Sequence, residues 1–328
     1  MPFSKDILKI DVRSAIDKIS SLIKDQVVNV LHRRGAVVGL SGGIDSSVCT
    51  SLCVSALGKD NVFIIFMPER DSSGTSLKLG KLLADSLGVK SVVEDLTPAL
   101  EGVGCYKRQT EAVREVFPEF DLNCKFKITI PSILTADRLN VLRLTIEFPD
   151  GKQKSERMPL HAYLKLIAAT NWKQRVRAGM EYYHADRLNY AVCGTPNRLE
   201  YDQGFFVKGG DGAADFKPIA HLYKSQVYML AKELGIPDEI LSRTPTTDTY
   251  SLEQTQEEFY FALPYGKMDL CLYGHNHKIP ASEVAPAVDL TSEQVERVYR
   301  DIESKRRGTK YLHMSPLLVE SFPELMKP

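Results

Sequence analysis

The sequence lacks any run of about 18 apolar residues, so nothing in it reads as a membrane span. It lacks an excess of either charge: 42 Lys and Arg face 42 Asp and Glu, which removes the basic face expected of a nucleic-acid partner. Its opening, "MPFSKDILKIDVRSAI", lacks the basic-then-apolar pattern of a secretory leader. Cysteine is sparse, and Cys49, Cys53, Cys105, Cys124, Cys193 and Cys271 form no CxxC pair. They are read as free thiols of a cytoplasmic protein. The histidines form no ligand constellation, and His275 and His277 in "YGHNHKIP" read as an exposed loop rather than a zinc site. Repeats and low-complexity segments are missing, as are the Walker pattern GxxxxGK[ST] and a GxGxxG following a strand.

What is present is a globular balance, 43% hydrophobic and 26% charged over 328 residues, read as one domain spanning 1–328. Apolar residues at helical spacing run from about residue 5 to 34 and end in "HRRG", where Gly35 suits a helix C-terminus. "AVVGL" predicts a short buried strand and Ser46 to Leu57 a helix. "NVFIIFMP" is the next strand, "SGTSLKLGKLLADSLG" a helix closed by Gly88, and "KSVVEDL" a third strand. This alternation predicts an α/β fold, a doubly wound parallel sheet with helices on both faces. The rhythm breaks over residues 121–160, where "KFKITIPS" and "VLRLTIEFPDGKQKSERMP" alternate apolar with polar and Asp150-Gly151 signals a hairpin. A small β-hairpin element is therefore expected as an insertion. The α/β pattern returns with a helix around Trp172–His184, the strand "NYAVCGT" and the helix "SQVYMLAKELG". Beyond Thr244 a polar loop, short helices and a proline-rich tail are expected.

The segment "SGGIDSS" places a turn at the carboxyl end of the first strand, where ligands bind in open parallel sheets. Gly42 and Gly43 allow close backbone approach. Free amides at the following helix N-terminus favour an anion, and Ser41, Ser46 and Ser47 add hydroxyl donors. The segment reads as a phosphate cradle, with a glycine-rich turn and simple Ser/Asp helix cap as the plain alternative. Phosphate would repel Asp45 unless a divalent cation stood between them.

"SGGIDSS" resembles the pyrophosphate-binding loop of the N-type ATP pyrophosphatases, which split ATP between the α and β phosphates. The stretch "CGTPNRLEYDQGFFVKGGDGAADFKPIAHLYKSQVYMLAKELGIPDEIL", with "IIFMP" and "NWKQRVR", resembles the NAD synthetase family. The resemblance implies an adenine nucleotide alpha hydrolase-like fold. It also implies a ligase that converts deamido-NAD, ATP and ammonia to NAD, AMP and pyrophosphate through an acyl-adenylate. Carried over residue by residue, Ser41, Gly42, Gly43, Asp45, Ser46 and Ser47 hold the ATP phosphates, and Thr195, Lys224 and Thr246 also touch ATP. Asp45 and Glu200 match the Mg2+ ligands. Arg175, Lys208 and Asp215 match contacts to deamido-NAD, and Asp211 an aspartate that handles ammonia; Asp45, Asp211 and Lys224 form the catalytic set. The resemblance further implies a homodimer, with no nucleic-acid or membrane partner.

Three departures stand out. The 121–160 insertion is not in the usual short synthetase. After Thr246, Gln254 and Glu257 are kept, but Gln256 and Ala262 stand where the family has an aspartate and a glycine. "SKRR" puts Ser304 and Lys305 where the family has His-Lys-Arg, so Lys305 is carried over as a substrate contact. These changes fall on the acid-substrate side, which leaves open an amide synthetase for a different carboxylate, such as a sugar acid. A non-catalytic nucleotide-binding module would not need Asp45, Glu200 and Lys224 together. A tRNA thiolase would want a basic face and paired cysteines. Too little chain precedes the first strand for a glutaminase domain of about 200 residues, so free ammonia is the expected nitrogen donor.

Overall fold

The apolar runs of the sequence form the strands of a parallel sheet in the computed structural model, which describes residues 3–129, 142–244, 250–252, 254, 260–261 and 263–320. In chain order its elements begin with α1 (Val12–Lys24), β1 (Ala36–Gly39), α2 (Ile44–Leu57), β2 (Val62–Phe66), α3 (Gly74–Leu87) and β3 (Lys90–Val93). Then come α4 (Thr97–Gly102), α5 (Cys105–Arg114), β4 (Lys125–Thr129), β5 (Arg143–Glu147), β6 (Gln153–Arg157) and α6 (Leu160–Leu188). The chain continues through β7 (Ala191–Cys193), α7 (Arg198–Gln203), α8 (Lys224–Glu233), α9 (Asp238–Leu241), α10 (Tyr265–Asn276), α11 (Ala281–Val288) and α12 (Ser292–Thr309).

The sheet has the strand order β3-β2-β1-β7. Every pair is parallel, with Val38 opposite Ile64 on one side and Cys193 on the other. Its strands are apolar on both faces because helices cover both. Ala36, Val38, Ile64 and Phe66 pack with residues of α1, α2, α3 and α8, whereas Val37, Ile65 and Val192 pack with Ala185 of α6. The connections from β1 run outward to β2 in one direction, and β7 lies on the other side. A crevice therefore opens at the carboxyl ends of β1 and β7, the topological switch point.

Lys125–Thr129, Arg143–Glu147 and Gln153–Arg157 form a second sheet, β4-β5-β6, antiparallel throughout. It has three strands rather than one hairpin. The predicted turn is present between β5 and β6: Gly151 has φ +81°, and the Lys152 N–H donates to Asp150 Oδ1 at 3.0 Å. Phe126, Ile128, Leu144 and Ile146 turn inward onto Ala112, Val113, Ala162 and Leu166 of α5 and α6, while Lys125 and Gln153 point out. The inserted sheet thus braces the N-terminal half of α6.

Several boundaries differ from the pattern-based reading. The expected helix over 5–34 is a 3-10 turn at Lys5–Leu8, then α1, then a π-helical turn at Asp25–Val30. Asp11 interrupts it by accepting the Ser14 N–H, a cap that competes with continued helix. His32, not Gly35, takes the left-handed position at its end. The apolar stripe of this segment, including Ile19, Ile23 and Val27, is spent inside the main core. The helix expected at Trp172–His184 is the 29-residue α6. The tail contains the 18-residue α12, and His275 lies in α10 rather than in a loop, bonded to Glu303 at 3.0 Å. All six cysteines are buried free thiols: Cys49, Cys53 and Cys193 in the main core, Cys124 under the antiparallel sheet, Cys271 among α10–α12 and Cys105 beneath α6. Among the described residues no helix is long and apolar enough to cross a membrane.

The sheet core sets the stability of this frame. Ile64 has no exposed surface at the centre of β2. Ile64→Ala should cost about 2–5 kcal/mol through lost burial and the cavity left behind. Equilibrium urea unfolding measures it; a loss below about 1 kcal/mol would show that the site repacks.

Candidate active site

A cavity of about 750 Å³ opens over the carboxyl ends of β1 and β7. Its floor on the α2 side is the turn read as a phosphate cradle. Gly42 has φ +73°, and a Cβ there would lie 2.3 Å from the Ser76 carbonyl oxygen of α3. No other residue type fits both the turn and the helix behind it. Gly43 caps α2 without a side chain, which leaves its backbone exposed to a ligand. The hydroxyls are knitted together: Ser46 and Ser47 donate to the Gly43 carbonyl at 3.0 and 2.8 Å, and the Ser41 and Ser46 Oγ atoms lie 3.1 Å apart. Ser41, Gly43, Asp45 and Ser46 line the cavity, whereas Ser47 is fully buried and braces the turn from below.

Three helix N-termini converge on this floor. Asp45 stands in the first turn of α2, Glu200 in the first turn of α7, and Lys224 opens α8. The buried ammonium of Lys224 donates to Asp45 Oδ2, and Asn197 Nδ2 donates to Asp45 Oδ1 at 3.2 Å. Glu200 closes a capping box in which its Oε2 accepts the Asn197 N–H at 3.0 Å. Burial and the neighbouring Asp45 push the Glu200 carboxyl up to about 8. Burial opposes the charge on Lys224, but Asp45 and Glu200 outweigh it and raise its pKa. Two carboxylates against one ammonium leave room for one more positive charge. The set of Asp45 and Glu200 fits a hard, oxygen-seeking cation that also takes phosphate oxygens. Among the described residues no group of three or more acidic, Cys or His side chains could hold a metal ion.

The opposite wall comes from α6 and the loop after α7. Lys173, Arg177 and Glu181 follow one another at i, i+4, i+8 and face the cavity, as does Arg175. Lys173 is buried, bonded to Glu69 Oε1 at 3.0 Å and to Asp71 Oδ2 at 2.7 Å, and so ties α6 to the loop after β2. Asp211 lines the cavity, with Oδ1 accepting the Val207 N–H at 2.7 Å, and burial pushes its carboxyl up to about 6. Burial and Asp211 push Glu181 up to about 8.

The structure gathers most of the sequence-predicted residues here: Ser41, Gly43, Asp45, Ser46, Arg175, Thr195, Glu200, Lys208, Asp211 and Lys224 all line the cavity. Lys208 also donates to the Tyr311 and Met314 carbonyls at 2.8 and 2.9 Å. Two predicted substrate contacts are not brought in. Asp215 accepts the Val192 N–H at 2.7 Å and the Tyr182 hydroxyl at 3.2 Å, so its oxygens stitch β7 to α6. Lys305 is buried on Asp301 at 2.7 Å and donates to the Tyr260 carbonyl at 2.8 Å. Thr246, Gln256, Glu257 and Ala262 lie outside the described residues. Sequence reasoning missed Asn197, Arg177 and Glu181. The i, i+4, i+8 spacing of the charged residues Lys173, Arg177 and Glu181 was the available signal for the last two.

The raised Glu200 pKa has a sign that can be checked. Its folded value of about 8 exceeds the ordinary 4.5. The folded, ligand-free protein therefore binds the extra proton between these values, and this group makes stability fall as pH rises through that window. Glu200→Gln keeps an acceptor for the Asn197 N–H and removes the buried charge. It should raise the ligand-free Tm by about 2–4 °C at pH 8 and leave it unchanged at pH 5, measured by scanning calorimetry. A lower Tm at pH 8 would refute the assignment.

The profile of the family described as NAD synthase matches residues 15–126 and 133–310 of this chain. The match runs through both cavity walls and most of the antiparallel sheet; only residues 127–132 of that sheet region fall outside it. The chain is similar to the NH(3)-dependent NAD(+) synthetase of Mesorhizobium japonicum, 57% identical over 312 residues, covering 95% of this chain and 98% of that protein. Its fold is similar to that of NMN synthetase from Francisella tularensis, with TM-score 0.63 and 22% identity over 96% of this chain and all of that one. It is also similar in fold to an NH3-dependent NAD synthetase from Campylobacter jejuni, with TM-score 0.59 and 20% identity over 95% of this chain and all of that one. The family match, which takes in the β1 turn, Asp45, Glu200 and α6, and the 57% identity along nearly the full length of a relative place this chain in the NAD synthase family.

Proposed function

We propose that this chain is an ammonia-dependent ligase that makes NAD from deamido-NAD, with ATP split to AMP and pyrophosphate. The observation that carries the reading is the convergence of Asp45, Glu200 and Lys224 on a phosphate-accepting turn, facing a cationic and acidic wall across one cavity. The close relatives support the ammonia-dependent reaction itself.

A carboxylate is a poor acyl donor, so the acid's oxygen first attacks the α-phosphate of ATP. The Ser41–Gly43 turn and the N-terminus of α2 receive the β and γ phosphates. Lys224, fixed by Asp45, faces the same phosphates and stabilises charge as pyrophosphate leaves. Asp45 and Glu200 would hold a Mg2+ ion together with phosphate oxygens, where it supplies further charge neutralisation. Thr195, at the end of β7, lies beside the nucleotide. On the α6 side Arg175 offers a fork for the phosphates or carboxylate of deamido-NAD, with Lys208 next to it. Ammonia then attacks the adenylate carbonyl and AMP departs, with Asp211 placed to accept a proton.

The roles carried over for Asp215 and Lys305 have less support, because both side chains are committed to contacts inside the chain. A homodimer is part of the same proposal; Ile19, Ile23 and Val27 of the N-terminal segment are already buried, while Leu22, Val28 and Val30 remain exposed. We place the protein in the cytoplasm, which its six buried free thiols support.

Purified protein given ATP, Mg2+, deamido-NAD and ammonium should release NAD and AMP in equal amounts. Glutamine free of ammonia should not replace ammonium. Absence of deamido-NAD-dependent AMP, with turnover of another carboxylic acid, would reassign the substrate. Asp45→Asn and Glu200→Gln should each lower AMP formation by at least about a hundredfold, because an amide is a weaker ligand for a hard cation. Near wild-type rates in either variant would remove that residue from the metal site.

A further inference from the structure

We propose that Glu181 is a catalytic residue of the amide-forming step, holding the incoming ammonium ion together with Asp211 and taking one of its protons. The proposal rests on the ammonia-dependent reaction described above.

The proton balance of that step calls for two acceptors. At neutral pH the nitrogen arrives as NH4+ and ends as the NH2 of an amide. One proton must leave before nitrogen has a lone pair. The lone pair then forms the C–N bond, the C–O bond to AMP breaks with its electron pair leaving on AMP, and a second proton departs from nitrogen. Asp211 accepts one proton and a second base is required.

Glu181 is the other carboxylate on that wall. It projects from α6 on the sheet face opposite α2, so the phosphate site and this carboxylate flank the reacting carbonyl from two sides. Its Oε1 sits over the end of β1: a Cβ on Gly39 would come within 2.1 Å of it and 3.0 Å of the Met67 methyl. Glycine at 39 is what leaves room for the carboxylate. Among the described residues Glu181 makes no hydrogen bond and no ion pair. The charged groups whose fields reach it are Asp211 and Arg177; Tyr182 and Cys193 are its other titratable neighbours. With both carboxylates ionised, Arg177 balances one negative charge and a monovalent cation balances the other. The raised proton affinities of Glu181 and Asp211 make both better matched to ammonium than an ordinary carboxylate would be.

Glu181→Gln keeps the shape and removes the base. Wild-type protein with ATP, Mg2+ and deamido-NAD is the reference, and failure of its ammonium-dependent AMP release would sink the reaction itself, independently of Glu181. In the variant, pyrophosphate release from ATP and deamido-NAD should persist. The kcat/KM for total ammonium should fall by about a hundredfold or more, the lower end for a positioned acid-base group, and its pH profile should move upward. Hydroxylamine, a nucleophile that is largely uncharged near neutrality, should still give product at close to the wild-type rate. An unchanged ammonium profile, or equal losses with ammonium and hydroxylamine, would overturn the proposal. If pyrophosphate release is lost as well, Gly39→Ala, which displaces the carboxylate without altering it, gives the same reading. A fall in its ammonium-to-hydroxylamine ratio supports the role, and an unaltered ratio overturns it.

Discussion

The site depends on one buried cation. Lys224 has almost no exposed surface, and its ammonium is held by Asp45 with Glu200 close behind. Its position is awkward, because it opens α8, where the helix dipole disfavours positive charge. Asp269 of α10 offsets this by accepting the Lys224 and Ser225 N–H groups at 3.2 and 2.7 Å. The two carboxylates facing the lysine each stand in the first turn of a helix, where negative charge is favoured. Removing Lys224 would leave both carboxylates without their cation, at a cost of about 3–5 kcal/mol. The cluster therefore fixes how α2, α7 and α8 meet, and with them the phosphate turn and the end of β7.

The sheet divides the labour across its own thickness. On the α2 face, backbone amides, hydroxyls and the Lys224 cluster suit a polyphosphate. On the α6 face, Arg175, Arg177, Glu181 and Asp211 suit an acid and a nitrogen source. β1 separates the two only by its last residues, and Gly39 and Gly42 keep that partition thin. A larger side chain at either position would intrude on α3 behind the turn or on Glu181 across the strand.

The strands were legible because a parallel sheet covered on both sides demands unbroken apolar runs, and "AVVG" and "VFIIF" are such runs. The turn at the end of β1 was legible as a turn because glycine, serine and aspartate follow an apolar run there, although a glycine-rich turn with a Ser/Asp cap accounts for the same residues without a phosphate. α6 was legible only over Trp172–His184 and not over its full length, for a physical reason. Its inward face carries Lys173, Arg177 and Glu181 where amphipathic periodicity expects apolar residues, so the helical signal cancels over much of its length. The break at Asp11 was hidden because a capping side chain leaves the apolar spacing intact. Asp211 and Glu200, picked out by resemblance, line the cavity, whereas Asp215 and Lys305 turn to partners inside the chain, since a sequence position does not reveal which way a side chain turns. Asn197 caps α7 through a local box that "NRLE" already spells out, but its second task, steadying Asp45, exists only once β7 lies beside β1.

The cysteines have a use that the chemistry of the site does not require. Four of the five apolar clusters carry a buried thiol: Cys49, Cys53 and Cys193 in the main core, Cys105 beneath α6, Cys124 under the antiparallel sheet and Cys271 among α10–α12, while the cluster of Val37, Ile65, Ala185 and Val192 has none. Burial raises the pKa of Cys49, Cys105, Cys193 and Cys271, and Cys53 rises through its contact with Cys193 and its burial. At these five positions the folded chain thus presents almost no thiolate to an alkylating reagent, and labelling must wait for the cluster around each of them to open. The protein carries a set of native clocks, spread over three of its clusters, by which the order of local opening can be timed without adding a probe.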